Sequence, residues 1–455
     1  MVNFKNHINK MKEIKAGDRF YLYDGHIGRL LCITEREFLF IKKWKFFSQI
    51  HDSNTMELMS ASDPSALSLG EKLEEIAVSD NLGEESLLSI GLKNSSVYGL
   101  NSLWLNIVHA CNMSCKYCFV DNGKYGNTSG YMERDTAIRA VEKWLNNLDS
   151  RQTVFNVIFF GGEPLLNWEL IEYIVDKVEI EVEKRKKHCR YYLTTNATII
   201  NEKILDLIKN HDFVFSISID GLEYIHNYNR PLANSNDSYM IIRKNIESFL
   251  CAAPKTIANM VVCREDIPFI VESVKELWQM GFKAVKVVLS MEREVHLTFD
   301  ELLEYKEQME QLANDTYENI IKGDRHVVEN FIEIFSSLSN RKNCGGCALY
   351  NDRVMVVAPD GEEFKCYKQI SANMREQEHR FMEKCDNCWA VSLCDEGCPL
   401  DHKIFTDDFY KRSEELCNRS KCIYNVALKL YIRFSEVGAD KLKKYFLWRH
   451  SNDVK

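Results

Sequence analysis

Between residues 100 and 300 the chain alternates two hydrophobic periods. Six short apolar runs have the length and composition of strands: Leu103–Val108, Val154–Phe160, Tyr191–Thr194, Phe213–Ile219, Ala258–Cys263 and Ala284–Leu289. Between them lie amphipathic stretches of helical length, among them Arg134–Leu148, Trp168–Glu183, Tyr239–Leu250 and Ile267–Met280. Strands alternating with helices predict a parallel sheet. Six units are fewer than a closed barrel needs. The predicted fold class is therefore α/β, an open partial (β/α)6 TIM barrel over residues 100–300.

The flanks carry other patterns. Asp18–Tyr23 and Gly28–Ile33 read as two strands around Asp24-Gly25. Thr34-x-x-Glu37 reads as a capping box opening the apolar helix Phe38–Phe47, with more helix near Ser68–Val78. Residues 1–95 are thus expected to form a small α+β domain, and Ser79–Gly99, rich in Asn, Ser and Gly, a linker. Residues 301–340 read as a helical bridge, 341–425 as a cysteine-rich domain and 426–455 as a helical tail. Within the cysteine-rich part, Asp352–Val357, a Pro359-Asp360-Gly361 turn and a run ending at Cys366 predict a hairpin.

Composition narrows the function. At 455 residues the chain is too long for one ordinary core. A net charge of −9 gives no electrostatic case for nucleic acid or an anionic membrane. No apolar stretch approaches the ~20 residues of a membrane helix, and the basic N-terminus lacks the apolar core of a signal peptide. Sixteen cysteines in such a chain point to a reducing cytoplasm, where they bind metal rather than form disulfides. Cys32, Cys189, Cys251 and Cys263 are scattered in apolar or helical stretches and read as buried thiols.

The remaining cysteines are grouped. Cys111, Cys115 and Cys118 stand as C-x3-C-x2-C directly after the first barrel strand, and the next cysteine is Cys189. Three thiolates this close can hold three irons of a cubane and leave the fourth open, whereas electron carriers usually supply all four ligands. A zinc site or three unrelated core thiols are the alternatives. Gly161-Gly162-Glu163-Pro164 follows the second strand, Thr194-Thr195-Asn196 ends the third and Ser218-Ile219-Asp220 ends the fourth. All sit at carboxyl ends of parallel strands, where such folds gather their active sites.

With Tyr117 before the last cysteine of the loop and Phe119 after it, this pattern resembles the radical S-adenosylmethionine (SAM) enzymes. The resemblance implies a [4Fe-4S] cluster on Cys111, Cys115 and Cys118 whose open iron is chelated by SAM. It implies that Tyr117 lies at the cofactor, and that Gly161, Gly162, Glu163 and Pro164 approach the SAM ammonium, glycine permitting the close approach. Asn196, Ser218 and Asp220 match positions near the ribose and methionine parts. Arg230, in HNYNRP, would meet the SAM carboxylate, or else form a surface ion pair.

The segment from Cys344 to Cys422 resembles the SPASM extension of peptide-modifying radical SAM enzymes, in its Gly361-x4-Cys366 step and its Cys385-x2-Cys388-x5-Cys394-x3-Cys398 block with Cys417 behind it. The resemblance implies two auxiliary [4Fe-4S] clusters. Cys347, Cys366 and Cys398 would hold the first, with Cys344 as a possible fourth ligand, and Cys385, Cys388, Cys394 and Cys417 the second. Paired C-x2-C hooks at Cys344 and Cys385 binding zinc are the alternative; Cys422 reads as structural. The N-terminal α+β unit is similar to the winged-helix modules that capture leader peptides by strand addition, a packing extension of the barrel being the other reading.

From Ser102 to Cys417 the chain resembles maturases that install thioether bridges in cysteine-rich ribosomal peptides, of the six-cysteines-in-forty-five, sactipeptide and ranthipeptide kind. The resemblance implies a 5′-deoxyadenosyl radical that takes hydrogen from a carbon of the precursor peptide, followed by sulfur–carbon bond formation, with the auxiliary clusters accepting an electron. It implies a leader-bearing precursor peptide and a reductant such as flavodoxin or ferredoxin as partners. Carbon–carbon crosslinking is the runner-up, and a non-catalytic scaffold stands behind both. A sulfatase-maturase-like oxidation is demoted, because the Asp that serves as base in that group is replaced by Tyr367 here.

Overall fold

The computed structural model describes residues 8–25, 28–49, 63–79, 99–125, 130–149, 151–235, 237–291, 296–339, 347–350, 352–371, 385, 387–394 and 397–450. Cys344 and residues 80–98 of the expected linker lie outside the described residues.

The N-terminal unit is a three-stranded antiparallel sheet, β1 (Met11–Ala16), β2 (Arg19–Asp24) and β3 (Arg29–Ile33), followed by helices Glu35–Gln49 and Pro64–Ser79. The sequence suggested two strands; β1 is the third. The capping box forms as expected: the Glu37 backbone N–H donates to Thr34 Oγ1 at 3.2 Å, and the Thr34 N–H to Glu37 Oε2 at 2.7 Å. Strand side chains alternate between faces, and here both faces are covered. Met11, Leu22 and Ile33 pack on Phe38, Ile41, Trp44 and Leu69 of the unit's own helices. Ile14, Tyr21 and Tyr23 join the main core.

The large sheet contains β4 (Ser102–His109), β5 (Gly130–Tyr131), β6 (Val154–Gly161), β7 (His188–Thr195), β8 (Phe213–Ser218), β9 (Ile257–Val262), β10 (Ala284–Leu289), β11 (Val327–Val328), β12 (Val354–Val357) and β13 (Glu363–Phe364). Its path is β11-β10-β9-β8-β7-β6-β4-β12-β13. The six predicted barrel strands are neighbours in chain order, and every pairing from β4 to β10 is parallel. Leu103, Leu105, Phe155, Val157, Phe159, Leu193, Phe215, Ile217, Ala258 and Met260 are buried in the main core. The alternate positions Trp104, Asn156, Phe160, Tyr192, Thr194, Ser216, Ser218 and Asn259 are only half-buried. One sheet face is thus filled with apolar side chains, and the other keeps room and polarity for a site.

Three boundaries differ from expectation. The bridge after residue 300 is not purely helical: helix Phe299–Lys322 stops at Gly323, whose φ of 87° suits glycine, and the chain then adds β11 parallel to β10 before helix Glu329–Ser339. The predicted hairpin forms as β12 and β13, but it is not confined to the cysteine-rich part, because β12 pairs in parallel with β4 and extends the barrel sheet. The helix expected at Ile267–Met280 begins instead at Ile270, after a 3-10 turn holding Pro268, which lacks the N–H an α-helix interior requires. The C-terminal helices are Glu414–Glu436, which carries Cys417, and Ala439–His450. Among the described residues no helix is long and apolar enough to cross a membrane.

Candidate functional site

The cysteine loop leaves the carboxyl end of β4 and is fixed from several sides. The Lys116 N–H donates to the Asn229 carbonyl at 2.9 Å, and the Ser114 N–H to the Pro231 carbonyl at 2.8 Å. Two sulfurs accept backbone N–H groups: Cys118 Sγ from Asn122 at 3.2 Å and Cys111 Sγ from Met113 at 3.5 Å. Burial pushes the Cys111 thiol up to about 12 and raises Cys115, against the opposing pull of Arg230. Half-buried thiols of this kind become thiolates when a cation takes the proton's place.

Gly161-Gly162-Glu163-Pro164 packs onto that loop. A Cβ on Gly162 would overlap the Ala110 carbonyl and come within 3.1 Å of the Cys111 Cβ. The close approach that glycine permits here is therefore to the cysteine loop's own backbone. Glu163 is fully buried, and its carboxylate accepts from Leu165 N at 2.9 Å, Thr195 Oγ1 at 2.7 Å and Asn196 N at 2.6 Å. Burial outweighs these bonds and lifts its carboxyl to about 7. Asn196 ties the third strand's end to the loop, its Nδ2 donating to Asn112 Oδ1 at 2.9 Å. Ser218 ends β8 on the half-buried face.

Asp220, Tyr117 and Arg230 form one buried cluster. The Tyr117 hydroxyl donates to Asp220 Oδ2 at 2.5 Å, Arg230 Nε donates to the same oxygen at 3.0 Å, and the Val261 N–H donates to Oδ1 at 3.0 Å. The Arg230 guanidinium lies 5.0 Å over the Tyr117 ring. Burial is the largest influence and alone would lower the Arg230 pKa, but the charge and hydrogen bond of Asp220, together with Tyr117 and Cys115, outweigh it and raise the pKa. The surface ion pair considered for Arg230 is thus a buried one, with side chains 7% and 0% exposed. Both Asp220 oxygens are engaged by protein donors. The cluster faces Cys115 and braces the loop that carries it.

The cysteine-rich region brings its thiols together in two sets. Cys347 lies within electrostatic reach of both Cys366 and Cys398. Cys385 and Cys388 share a hydrogen bond that holds Cys388 down to about 6, while Cys394 lies within reach of Cys388 and Cys417. Arg412 and Lys421 add positive charge around this second set. Cys422 instead faces Lys306 and Glu310 and packs on the main core. Of the four scattered cysteines expected to be buried thiols, Cys189 and Cys263 are buried, whereas Cys32 and Cys251 are exposed. Tyr367 stacks on Trp104 with centroids 5.0 Å apart and planes at 1°, and touches Phe160 and Phe119. Burial pushes its phenol up to about 12. It is a packing residue in an aromatic wall between Cys118 and Cys366. The spacing of motifs did not reveal Asn112, Lys368 or Asp401, which only their adjacency to motif residues marked; Thr195 stood within a rim motif, but its bond to Glu163 was not foreseen.

Among the described residues no three His, Cys, Asp or Glu side chains are set to hold a single metal ion. Thiols around a cubane stand further apart than thiols around one zinc. An all-sulfur loop with backbone N–H groups aimed at its sulfurs fits an iron–sulfur cluster in its donor chemistry.

Comparison with known proteins agrees. The model of the radical SAM superfamily matches residues 105–266. An uncharacterized protein of Methanocaldococcus jannaschii is 31% identical over 288 residues, covering 60% of this chain and 96% of that protein. The cysteine-type anaerobic sulfatase-maturating enzyme of Clostridium perfringens is 22% identical over 322 residues, covering 63% of this chain and 85% of the enzyme. The radical SAM cyclopropyl synthase TigE of Paramaledivibacter caminithermalis is 29% identical over 160 residues, 33% of this chain and 32% of that enzyme. In fold, the chain is similar to native anSMEcpe with bound AdoMet, with a TM-score of 0.60 at 20% identity over 74% of this chain and 99% of that one.

Proposed function

Because the chain belongs to the radical SAM superfamily, whose members carry a [4Fe-4S] cluster and bind SAM, we propose that it forms sulfur-to-carbon thioether crosslinks in a cysteine-containing ribosomal precursor peptide. The observation that carries this reading is the gathering of the C-terminal cysteines into two sets, Cys347/Cys366/Cys398 and Cys385/Cys388/Cys394/Cys417, in addition to the three-thiol loop. Thioether formation is a net oxidation, and extra electron acceptors serve an oxidation.

When bound, the cluster and SAM supply a carbon-centred radical able to take hydrogen from an unactivated carbon. The chain's own residues do the rest. Cys111, Cys115 and Cys118 hold the cluster, and Asp220, Arg230 and Tyr117 keep the Cys115 segment in place. Glu163, once ionised, attracts the SAM ammonium. Asn196 and Ser218 offer polar groups on the same rim. Trp104, Phe160 and Tyr367 form an apolar wall, with Phe119 at its exposed edge, that would limit the access of water to the bound cofactor. Cys344 is the candidate fourth ligand of the first auxiliary set. The N-terminal sheet offers strand edges for a leader peptide, and flavodoxin or ferredoxin fits as the electron source.

A second reading has its own support in the 322-residue similarity to a cysteine-type sulfatase-maturating enzyme: oxidation of a side chain on a protein substrate. The aromatic packing of Tyr367 leaves that position without a base, which weighs against it. The deciding experiment is the intact mass of a candidate precursor peptide co-expressed with this chain, before and after thiol alkylation. Loss of two hydrogens per event with the matching cysteines blocked, disulfides having been reduced, supports thioethers. The same loss with all cysteines still alkylated assigns a carbon–carbon crosslink, and conversion of one cysteine side chain without a crosslink assigns the maturase-like oxidation.

A further inference from the structure

Two residues outside every motif connect the turns that carry Cys366 and Cys398. Lys368 lies in the 3-10 turn Tyr367–Ile370, which Cys366 caps, and Asp401 lies in the first turn of helix Pro399–Thr406, which Cys398 caps. Each donates its backbone N–H to its own turn's sulfur, Lys368 to Cys366 and Asp401 to Cys398. Their side chains then meet in an ion pair across the gap. The Lys368 ammonium also lies 4.0 Å from Cys398 Sγ. It touches both turns, and with 21% exposure it is far from the solvated position lysine normally takes.

We propose that the Lys368–Asp401 pair sets the reduction potential of the cluster held by Cys347, Cys366 and Cys398. The proposal rests on the reading of those cysteines as cluster ligands. A cluster gains negative charge on reduction. A cation donating to one of its thiolates stabilises the reduced state and raises the potential. Asp401 fixes the ammonium against the sulfur and also offsets part of its charge. The two side chains therefore act with opposite sign, whereas an ion pair that merely held the turns together would act with one.

The test is a redox titration followed by electron paramagnetic resonance on the full chain, reconstituted anaerobically with iron and sulfide. The signal lost in Cys366→Ala identifies the cluster. Lys368→Met is expected to lower its potential, changing the oxidised-to-reduced ratio at fixed potential by about tenfold, which is about 59 mV for one electron. Asp401→Asn is expected to raise it, and Lys368→Arg to stay near the unsubstituted protein. An unmoved potential in Lys368→Met, or shifts of one sign in Lys368→Met and Asp401→Asn, overturns the proposal. If Lys368→Met takes up no iron, Asp401→Asn decides alone: a raised potential supports the role, an unchanged or lowered one overturns it. Iron counting separates the two layers. If Cys366→Ala loses no iron, the ligand reading itself fails and this role falls with it. If it loses iron while Lys368→Met leaves the potential unmoved, only the role of Lys368 fails.

Discussion

The Tyr23 hydroxyl lies 2.7 Å from the Ser392 hydroxyl, joining the N-terminal sheet to the segment between Cys388 and Cys394. The contact is not isolated. The Tyr23 ring meets Trp389 edge-on at 6.3 Å, and Lys12 lies 5.7 Å from the Trp389 ring. The Tyr21 hydroxyl donates to Glu436 on the helix that carries Cys417. The N-terminal unit thus braces the second set of cysteines while keeping a core of its own.

Gly25 tests this brace, since a Cβ there would overlap the Trp389 carbonyl. Gly25→Ala is expected to push the two elements apart at a cost of about 1–3 kcal/mol and to lower bound iron, while Tyr23→Phe, which removes only a hydroxyl, keeps the iron. Iron and sulfide analysis of the reconstituted proteins is the check. Full iron in Gly25→Ala would show that the cysteine segment does not depend on the brace. Deletion of residues 1–95 is for the same reason expected to lower both iron content and peptide affinity, so affinity is interpretable only when normalised to iron.

Glu163 gives a pH dependence whose sign follows from its burial. Its folded carboxyl titrates near 7, above the unfolded value, so the folded state holds the extra proton between these values. The neutral form is the one the fold favours, and stability of the cluster-free protein falls as pH rises from the unfolded pKa towards 7, then levels. If Glu163 meets the SAM ammonium as proposed, SAM binding has the opposite trend, since that contact requires the ionised form: affinity is then expected to weaken by up to about tenfold for each pH unit below 7. Denaturation midpoints and SAM titrations across that window, with Glu163→Gln as the flat control, read both. A slope that survives in Glu163→Gln belongs to another group.

Much of this was legible in the chain. The barrel strands announced themselves because each apolar run sits between amphipathic helices, and the rim motifs because each follows such a run. β1 was not legible for a physical reason. Met11 and Ile14 are spaced as in a helix, yet they belong to a strand whose two faces serve two different cores. β11 was too short to show a period. The Tyr117–Asp220 bond joins residues 103 apart, so it depends on the fold and not on local pattern.

Tyr367 separates a packing role from a chemical one. If it only fills the wall with Trp104 and Phe160, Tyr367→Phe is expected to leave peptide conversion within about twofold, since the rings and their apolar contacts remain. Loss of more than about a hundredfold, within the range expected for removing a general base, would make the phenol a participant. Single-turnover conversion at equal iron content is the measurement.

Cys417 and Cys422 lie five residues apart on one helix but face different surroundings, Cys417 near Cys388 and Cys394, Cys422 towards Lys306 and Glu310. Their alanine variants are expected to part ways. Cys417→Ala removes a sulfur from the second set and is expected to lose iron from that cluster, with a changed spectrum for what remains. Cys422→Ala removes one small apolar group from the edge of the main core, a loss of about 1 kcal/mol in stability with iron unchanged. Iron counting and chemical denaturation on both variants test the pair together. Equal iron in the two would place the second set elsewhere, and iron loss in Cys422→Ala alone would exchange the roles of the two cysteines.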